Sequence, residues 1–385
     1  MKKILVTGGA GYVGSHTVKE LVGSGFEVIV LDSLEAGHKK AVDPKAKLEV
    51  VDLADKERVK SAFKKYQPDA VIDFAAYLAV GESMEEPKRY FKNNVTNFIN
   101  LLDVMKETGC GYLVKSSTAA VYGNPTKEAD IPWQESFTDK YKPKKSALLE
   151  GIWSGKKVVG EEFLQKFIGH YEQFYQTRPE LKLNPEEITK LRIPLSIYGL
   201  TKLLDEILMK KYDKLFGIKS VALRYFNVCG ADSSGEIGED KPAPTTLMIL
   251  AIYQVLGKIP KLSIFGRDYP TPDGTAIRDY VHPCDLATGH IIALEFLHNK
   301  NTSEIFNLGT GNGSSVLEVI AAVEKASGKK VKTQDCPRRS GDATISVADP
   351  RKANRIFGWK TKYNLDDMAR TAWRWHNKNP NGFLS

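Results

Sequence analysis

Short apolar runs alternate with amphipathic segments over the first third of the chain. Ile4-Leu5-Val6 opens into a glycine-rich stretch, His16 to Val22 reads as a helix, and Phe26 to Leu31 is a second apolar run ending at Asp32. The pattern then repeats. Leu48 to Val51 is a strand closing on Asp52, Lys56 to Tyr66 a helix, Ala70 to Phe74 a strand, Val95 to Thr108 a helix, and Tyr112 to Ser116 a strand. Strands apolar on both faces, each followed by a helix, predict an α/β protein with a doubly wound parallel sheet, whose ligands sit beyond the carboxyl ends of the strands.

After Asn227 the rhythm changes to loops rich in Gly, Pro and Asp, followed by helices, which predicts a second, smaller C-terminal α/β substrate domain. The expected division is 1–228 for the sheet domain and 229–385 for the second, parts of which pack back on the first. The segment between Phe137 and Leu195 breaks the alternation. Phe163, Leu164, Phe167, Ile168, Tyr171, Phe174 and Tyr175 recur at helical spacing, and Asn184-Pro185-Glu186-Glu187 has the order of an N-cap, a first-turn proline and first-turn acids. A folded helical insert over 138–192 is expected, its aromatic stripe docked on its own domain.

Composition narrows the class. The chain has 385 residues, is 42% hydrophobic and 26% charged, and carries a formal charge of +8, values of a globular protein with more than one core. The apolar start is cut at Thr7-Gly8-Gly9, too soon for a signal peptide, and the longest apolar stretch, Leu247 to Leu256, is too short for the roughly 20 residues of a span. No membrane partner is expected. Cys110, Cys229, Cys284 and Cys336 show no ligand spacing, so neither a metal site nor a disulfide framework is expected, and a reducing cytoplasm fits. The basic excess is spread out, apart from lysines between Lys140 and Lys157, with no nucleic-acid motif beside it. No nucleic acid is therefore expected as a partner.

The first strand runs into Gly8-Gly9-Ala10-Gly11-Tyr12-Val13-Gly14. A pyrophosphate needs close backbone approach and the free N–H groups of a helix N-terminus, which glycines at this turn allow. Asp32, at the end of the next strand, is placed to accept from adenine-ribose hydroxyls and to repel a 2′-phosphate, so the predicted cofactor is NAD. Asp52 and Leu53 are placed to hold the adenine. Further on, Tyr198-Gly199-Leu200-Thr201-Lys202 puts a phenol and an ammonium on one helix face, where the cation is expected to lower the tyrosine pKa toward that of a useful base. Ser116-Ser117-Thr118, at a strand end, is a hydroxyl cluster suited to orienting a substrate alcohol.

These features, in this order, resemble the extended short-chain dehydrogenase/reductase superfamily, whose sheet is Rossmann-like. Further segments are similar to the UDP-glucose 4-epimerase family within it: Phe74-Ala75-Ala76, Ala79 to Ser83, Asn93-Asn94-Val95, Leu223 to Asn227, Ile264 to Thr271, Asp273-Gly274-Thr275, Arg278 to His282 and Pro337 to Asp342. The resemblance covers nearly the whole chain except the insert. It implies an NAD-dependent isomerase that inverts C4 of UDP-glucose and UDP-galactose through a bound 4-ketose, and a homodimer. By the same resemblance Tyr198, Lys202 and Thr118 would be catalytic, and Gly8, Gly11, Tyr12, Val13, Gly14, Asp32, Asp52, Leu53, Phe74, Ala75, Ala76, Asn93, Ser116 and Phe226 would line the cofactor with Tyr198 and Lys202. The UDP-sugar would meet Thr118, Asn227, Thr246, Leu247, Ser263, Phe265, Arg278, Arg339, Asp342 and Ser346, with Arg278 and Arg339 on the diphosphate and Phe265 and Ser263 on the uridine.

The chain departs from the family's usual pattern at four positions. Asp73 and Leu78 stand where histidine and lysine are frequent, Thr246 where an asparagine touches the hexose, and Ser346 where enzymes confined to glucose and galactose tend to carry a bulky aromatic. The small Ser346 leaves room for an N-acetyl group, extending the expected substrates to UDP-GlcNAc and UDP-GalNAc. A nucleotide-sugar 4,6-dehydratase needs an acid after the threonine, whereas Thr118 is followed by Ala119-Ala120-Val121. A UDP-pentose 4-epimerase would use the same residues; a non-catalytic protein that senses NAD or a UDP-sugar would show decay of the kind Leu78 and Thr246 suggest, but the intact Tyr198, Lys202 and Thr118 argue against it.

Overall fold

A computed structural model describes residues 1–123, 131–137, 178–181, 194, 196–241, 244–339 and 342–384. Its main feature is a seven-stranded, wholly parallel sheet. The strands are β1 (Lys3–Thr7), β2 (Glu27–Asp32), β3 (Lys47–Val50), β4 (Ala70–Asp73), β5 (Tyr112–Thr118), β6 (Lys219–Tyr225) and, from the later part of the chain, β10 (Glu304–Leu308). Their order across the sheet is β10-β6-β5-β4-β1-β2-β3. The chain reverses direction across the sheet at β1, which puts the crevice for a ligand at its carboxyl end.

Alternation along each strand divides the apolar side chains between two cores. Leu5, Ile29, Leu31, Val71 and Leu113 face the helices Lys56–Tyr66, Asn97–Thr108 and Ile197–Phe216. Ile4, Val6, Val28, Val30, Ile72 and Val114 face the helices Tyr12–Gly23 and Pro283–Lys300. Burial of this kind contributes roughly 25 cal/mol per Å² of apolar surface, which is why strands covered on both faces read as continuous apolar runs.

The remaining strands are β7 (Asn227–Val228), β8 (Leu262–Phe265), β9 (Ile277–Val281), β11 (Gly313–Ser315), β12 (Thr333–Cys336) and β13 (Ile345–Ser346). β9 pairs with β7, β11 and β13, while β8 pairs in parallel with β12. A third core joins β8 to the helices Leu247–Val255, Val316–Ser327 and Leu365–Lys378 through Met248, Ile252, Leu262, Ile264, Val319, Val323, Met368 and Ala372.

Most of the predicted insert, including its aromatic stripe and the proline-capped helix at Asn184, lies outside the described residues. The part described is a short turn, Pro179–Leu181, whose Leu181 is buried against the Asn97–Thr108 helix side of the sheet, next to the ion pair of Arg178 with Asp103. Among the described residues, no helix is long and apolar enough to cross a membrane.

Candidate active site

Parallel strands end at one edge of a sheet, so the loops after β1, β2, β4, β5 and β6 converge. Gly8 adopts φ +67°, open to glycine without strain, and a Cβ there would lie 2.8 Å from the Ala75 amide nitrogen. The loop after β1 is therefore pressed against the Phe74-Ala75-Ala76 backbone after β4. Gly11 is the N-cap of the helix Tyr12–Gly23 and brings no side chain to its N-terminus. Asp32 is 8% exposed, and its carboxylate accepts from the Ala10 and Leu34 amides, both at 2.9 Å, which fixes it beside that turn. Burial raises its pKa, against the two amide hydrogen bonds. This cradle, closed by glycines and flanked by one anchored carboxylate, fits a dinucleotide with a free ribose diol.

Other predicted cofactor residues have specific partners. The Tyr12 hydroxyl is 2.7 Å from the Gly230 carbonyl oxygen, tying the glycine turn to the second half of the molecule, while Val13 packs in the core beneath. Asp52 is exposed and Leu53 buried, the Leu53 carbonyl accepting from Asn100. Asn93 bonds Asn94 and Asn97, and it is the buried Asn94 that links Tyr77 to Thr201 on the helix Ile197–Phe216. Phe226 packs beside Leu203, and Leu78 is 53% exposed.

Tyr198 and Lys202 stand on the first turns of Ile197–Phe216, capped by the Ser196 hydroxyl, which accepts from the Gly199 amide at 3.0 Å. A Cβ on Gly199 would lie 2.7 Å from the Ala120 carbonyl oxygen, so glycine lets the helix start rest directly on the turn after β5. The Ser83 hydroxyl accepts from the Tyr198 amide at 3.2 Å. These contacts bring the Tyr198 phenol near enough to Thr118 for the threonine to favour its ionised form. Lys202 Nζ donates to the Ser116 carbonyl oxygen at 3.0 Å and lies 3.4 Å from its hydroxyl. The residues predicted to be catalytic are therefore together, although Thr118 and Tyr198 belong to different elements.

Their ionisation differs from the expectation. Burial pushes the Tyr198 phenol above its ordinary value, while the nearby Thr118 hydroxyl and the Lys115 cation pull it down. The cation that lowers Tyr198 is Lys115, whereas Lys202 bonds the Ser116 carbonyl oxygen. Burial, followed by repulsion from Lys115, lowers Lys202 to about 7 against the attraction of Asp205, Asp73 and Glu206. Lys115, Asp73 and Asp205 have no role predicted from the sequence. A lysine inside an apolar strand, and an aspartate one turn after Lys202, were the available signals.

The predicted sugar-nucleotide residues gather on β8, β9, β13 and the loop after β12. Arg278 of β9 is the register partner of Ser346 on β13, and its guanidinium is 3.8 Å from Asp342. The Arg339 guanidinium lies over the Phe265 ring at 3.8 Å, and Ser263 accepts from Gln334 at 3.0 Å. Asn227 is exposed at the start of β7, one residue beyond Phe226. Thr246 caps the helix that Leu247 begins, its hydroxyl 3.3 Å from Glu239.

Comparison with known proteins identifies the family. A model described as the NAD dependent epimerase/dehydratase family matches residues 4–174, and one described as GDP-mannose 4,6 dehydratase matches residues 179–372. A UDP-glucose 4-epimerase of Streptococcus mutans is 41% identical over 99% of this chain and 98% of its own. The crystal structure of a UDP-glucose 4-epimerase from Stenotrophomonas maltophila, with bound NAD and formylated UDP-arabinopyranose, superposes with a TM-score of 0.81 at 34% identity, covering 99% of each chain. That from Bifidobacterium longum, in complex with NAD+ and UDP, gives 0.79 at 33% identity, covering 99% of this chain and 100% of its own. The shared fold and the identity over almost the full length agree: the chain belongs to the UDP-glucose 4-epimerase family.

Proposed function

We propose that this enzyme interconverts UDP-glucose and UDP-galactose by inverting C4 of the bound hexose, with NAD as its resident cofactor. The observation that carries this reading is Lys202 bonded to the Ser116 carbonyl oxygen, with Tyr198 one turn earlier on the same helix and Thr118 ending the same strand, at the sheet edge that also bears the glycine cradle. Bound NAD supplies a reversible hydride acceptor at C4. Gly8, Gly11, Gly14 and Asp32 would hold its pyrophosphate and adenine ribose, and Lys202 and Ser116 would meet its other ribose.

Tyr198 takes the proton of the sugar 4-OH as C4 is oxidised and returns it after the 4-ketose has presented its other face. Thr118 bonds the same oxygen, so the phenol and the alcohol share one hydrogen-bond axis. Arg278 and Arg339 hold the diphosphate through charge-assisted bonds, and Phe265 and Ser263 contact the uridine. A firm grip on UDP combined with a loose one on the hexose permits the ketose to turn without leaving. Thr246, Leu247, Asn227 and Asp342 border the same space.

The same reading extends to UDP-N-acetylhexosamines because Ser346, beside Arg278, is small. It treats 1–228 and 229–385 as the cofactor and sugar-nucleotide domains, and the protein as a cytoplasmic homodimer; four free cysteines fit a reducing compartment. The test is incubation of the purified protein with UDP-galactose and no added cofactor. Formation of UDP-glucose with no net NADH absorbance is expected, and no conversion even after NAD is supplied would overturn the reading.

A further inference from the structure

Behind the Tyr198–Lys202 pair lies a second set of charges. Lys115, Asp73 and Asp205 are each 0% exposed and Lys202 is 2% exposed. Lys115 Nζ is 2.5 Å from an Asp73 oxygen and 3.4 Å from Asp205, and it lies 4.2 Å from the centre of the Phe98 ring. Asp73 is further held by the Thr7 hydroxyl and, at 3.0 Å, by the Ala75 amide. The Asp205 carboxylate makes no well-aligned hydrogen bond among the described residues, so its pairing with Lys115 is an ionic contact, not a structural clamp.

A buried cluster of this sort is a poor stabilising device. Desolvating each ion costs several kcal/mol, and replacing such clusters with apolar groups of similar volume is often neutral or stabilising. Its position suggests another use. Lys115 immediately precedes Ser116, which holds Lys202, and Asp205 is one helical turn after Lys202. Three of these charges flank the proton-transferring pair, while none of the three is among the residues placed on substrate or cofactor.

We propose that Lys115, held between Asp73 and Asp205, is a positioning residue that sets the charge state of Tyr198 and Lys202 from behind the active site. The inference rests on Tyr198 being the base of the proposed reaction. The groups facing the pair are Lys115 from β5, Asp73 from β4, and Asp205 and Glu206 from the helix Ile197–Phe216. Glu206 is itself neutralised by Arg224 of β6 at 2.6 Å, and Tyr225, 3.3 Å from His290, completes the surroundings. Burial works against the charge on Lys115, but Asp205 and Asp73 together raise its pKa, so it is a standing cation. Lys202, lowered to about 7, is not. With all four groups ionised the cluster is neutral, and removing either sign changes the potential at the Tyr198 oxygen.

The test is the pH profile of kcat for the NAD-loaded enzyme. Lys115→Met leaves an excess of negative charge, so the acidic limb, where Tyr198 loses its proton, moves up by about one pH unit. Asp205→Asn moves it down by a similar amount, and the charge-conserving double variant returns it toward the parent. KM for the UDP-sugar changes little in all three. A purely structural role would move kcat in the same direction in both single variants and leave the limb in place; either result overturns the proposal. Should Lys115→Met fail to fold, a stationary limb in Asp205→Asn alone is sufficient to overturn it. The phenolate absorbance of Tyr198, taken as the difference from matching Tyr198→Phe proteins, follows the same shifts without turnover. An enzyme inactive on UDP-hexoses would therefore defeat the proposed function and leave this inference separately readable.

Discussion

The Tyr77 hydroxyl lies 2.9 and 2.8 Å from the two carboxylate oxygens of Glu35. Glu35 follows β2 and Tyr77 follows β4, the two neighbours of β1, so this contact passes over the carboxyl end of β1, where the glycine cradle lies. Arg89 reinforces it, donating to Glu35 at 2.9 Å and lying 4.3 Å from the centre of the Tyr77 ring. The arch stands close to Leu78, where the family's usual lysine is missing. Tyr77→Phe should therefore speed NAD loss by about tenfold, the lower end of the worth of one hydrogen bond to a charged group. Cofactor retained through extended dialysis measures it, and unchanged retention would remove the arch from cofactor holding.

The hydroxyl pair gives a sharper kinetic expectation. Tyr198→Phe should lower turnover by about a thousandfold, the scale of a lost acid–base group. Thr118→Val, which removes one hydrogen bond, should lower it by about tenfold. UDP affinity by calorimetry should hardly change in either, since Arg278, Arg339 and Phe265 stand apart from the pair. Turnover by Tyr198→Phe equal to the parent's would remove its assignment.

Ser346 lies in register with Arg278 on β9. Ser346→Tyr should abolish turnover of UDP-N-acetylgalactosamine while sparing UDP-galactose, because the ring would occupy the space of the acetamido group. Equal turnover of both sugars in the variant would show that this side chain does not limit the pocket.

Acid should unfold the protein early. Burial lowers His16 and His290 to about 4, and His282 and His376 to about 3. Unfolded histidines bind protons near pH 6.5, so below that value protonation favours the unfolded chain until the folded values are reached. Each such histidine costs up to about 1.4 kcal/mol per pH unit in that window. Asp205, raised by burial to about 6, acts in the opposite sense. Thermal melts should lose stability steadily from pH 7 to about pH 5; a flat profile would show that the histidines are not held neutral.

The first five strands were legible because each is a short apolar run ending on a polar residue, and β1 to β5 stand close to where that pattern predicts. Completion of the sheet by β10 was not, since Glu304–Leu308 belongs by sequence to the later region and its partner β6 is distant along the chain. The glycine turn, Asp32, Tyr198, Lys202 and Thr118 were legible as types at characteristic spacings. Lys115 and Asp205 were not, because a charged residue in a strand or helix reads as solvent-facing until its partners are known. Asp73 stands out in the sequence only as a departure from a family pattern, and its meaning depends on Lys115, which pairs with it.

The late arrival of β10 has a consequence for synthesis. While the ribosome is making the second half, β6 is an open edge, and the sheet face later covered by the helix Pro283–Lys300 is bare. The nascent first half is thus a sticky, incomplete sheet that cannot close until most of the chain has emerged, which makes it a natural client for chaperones that shield strand edges during translation.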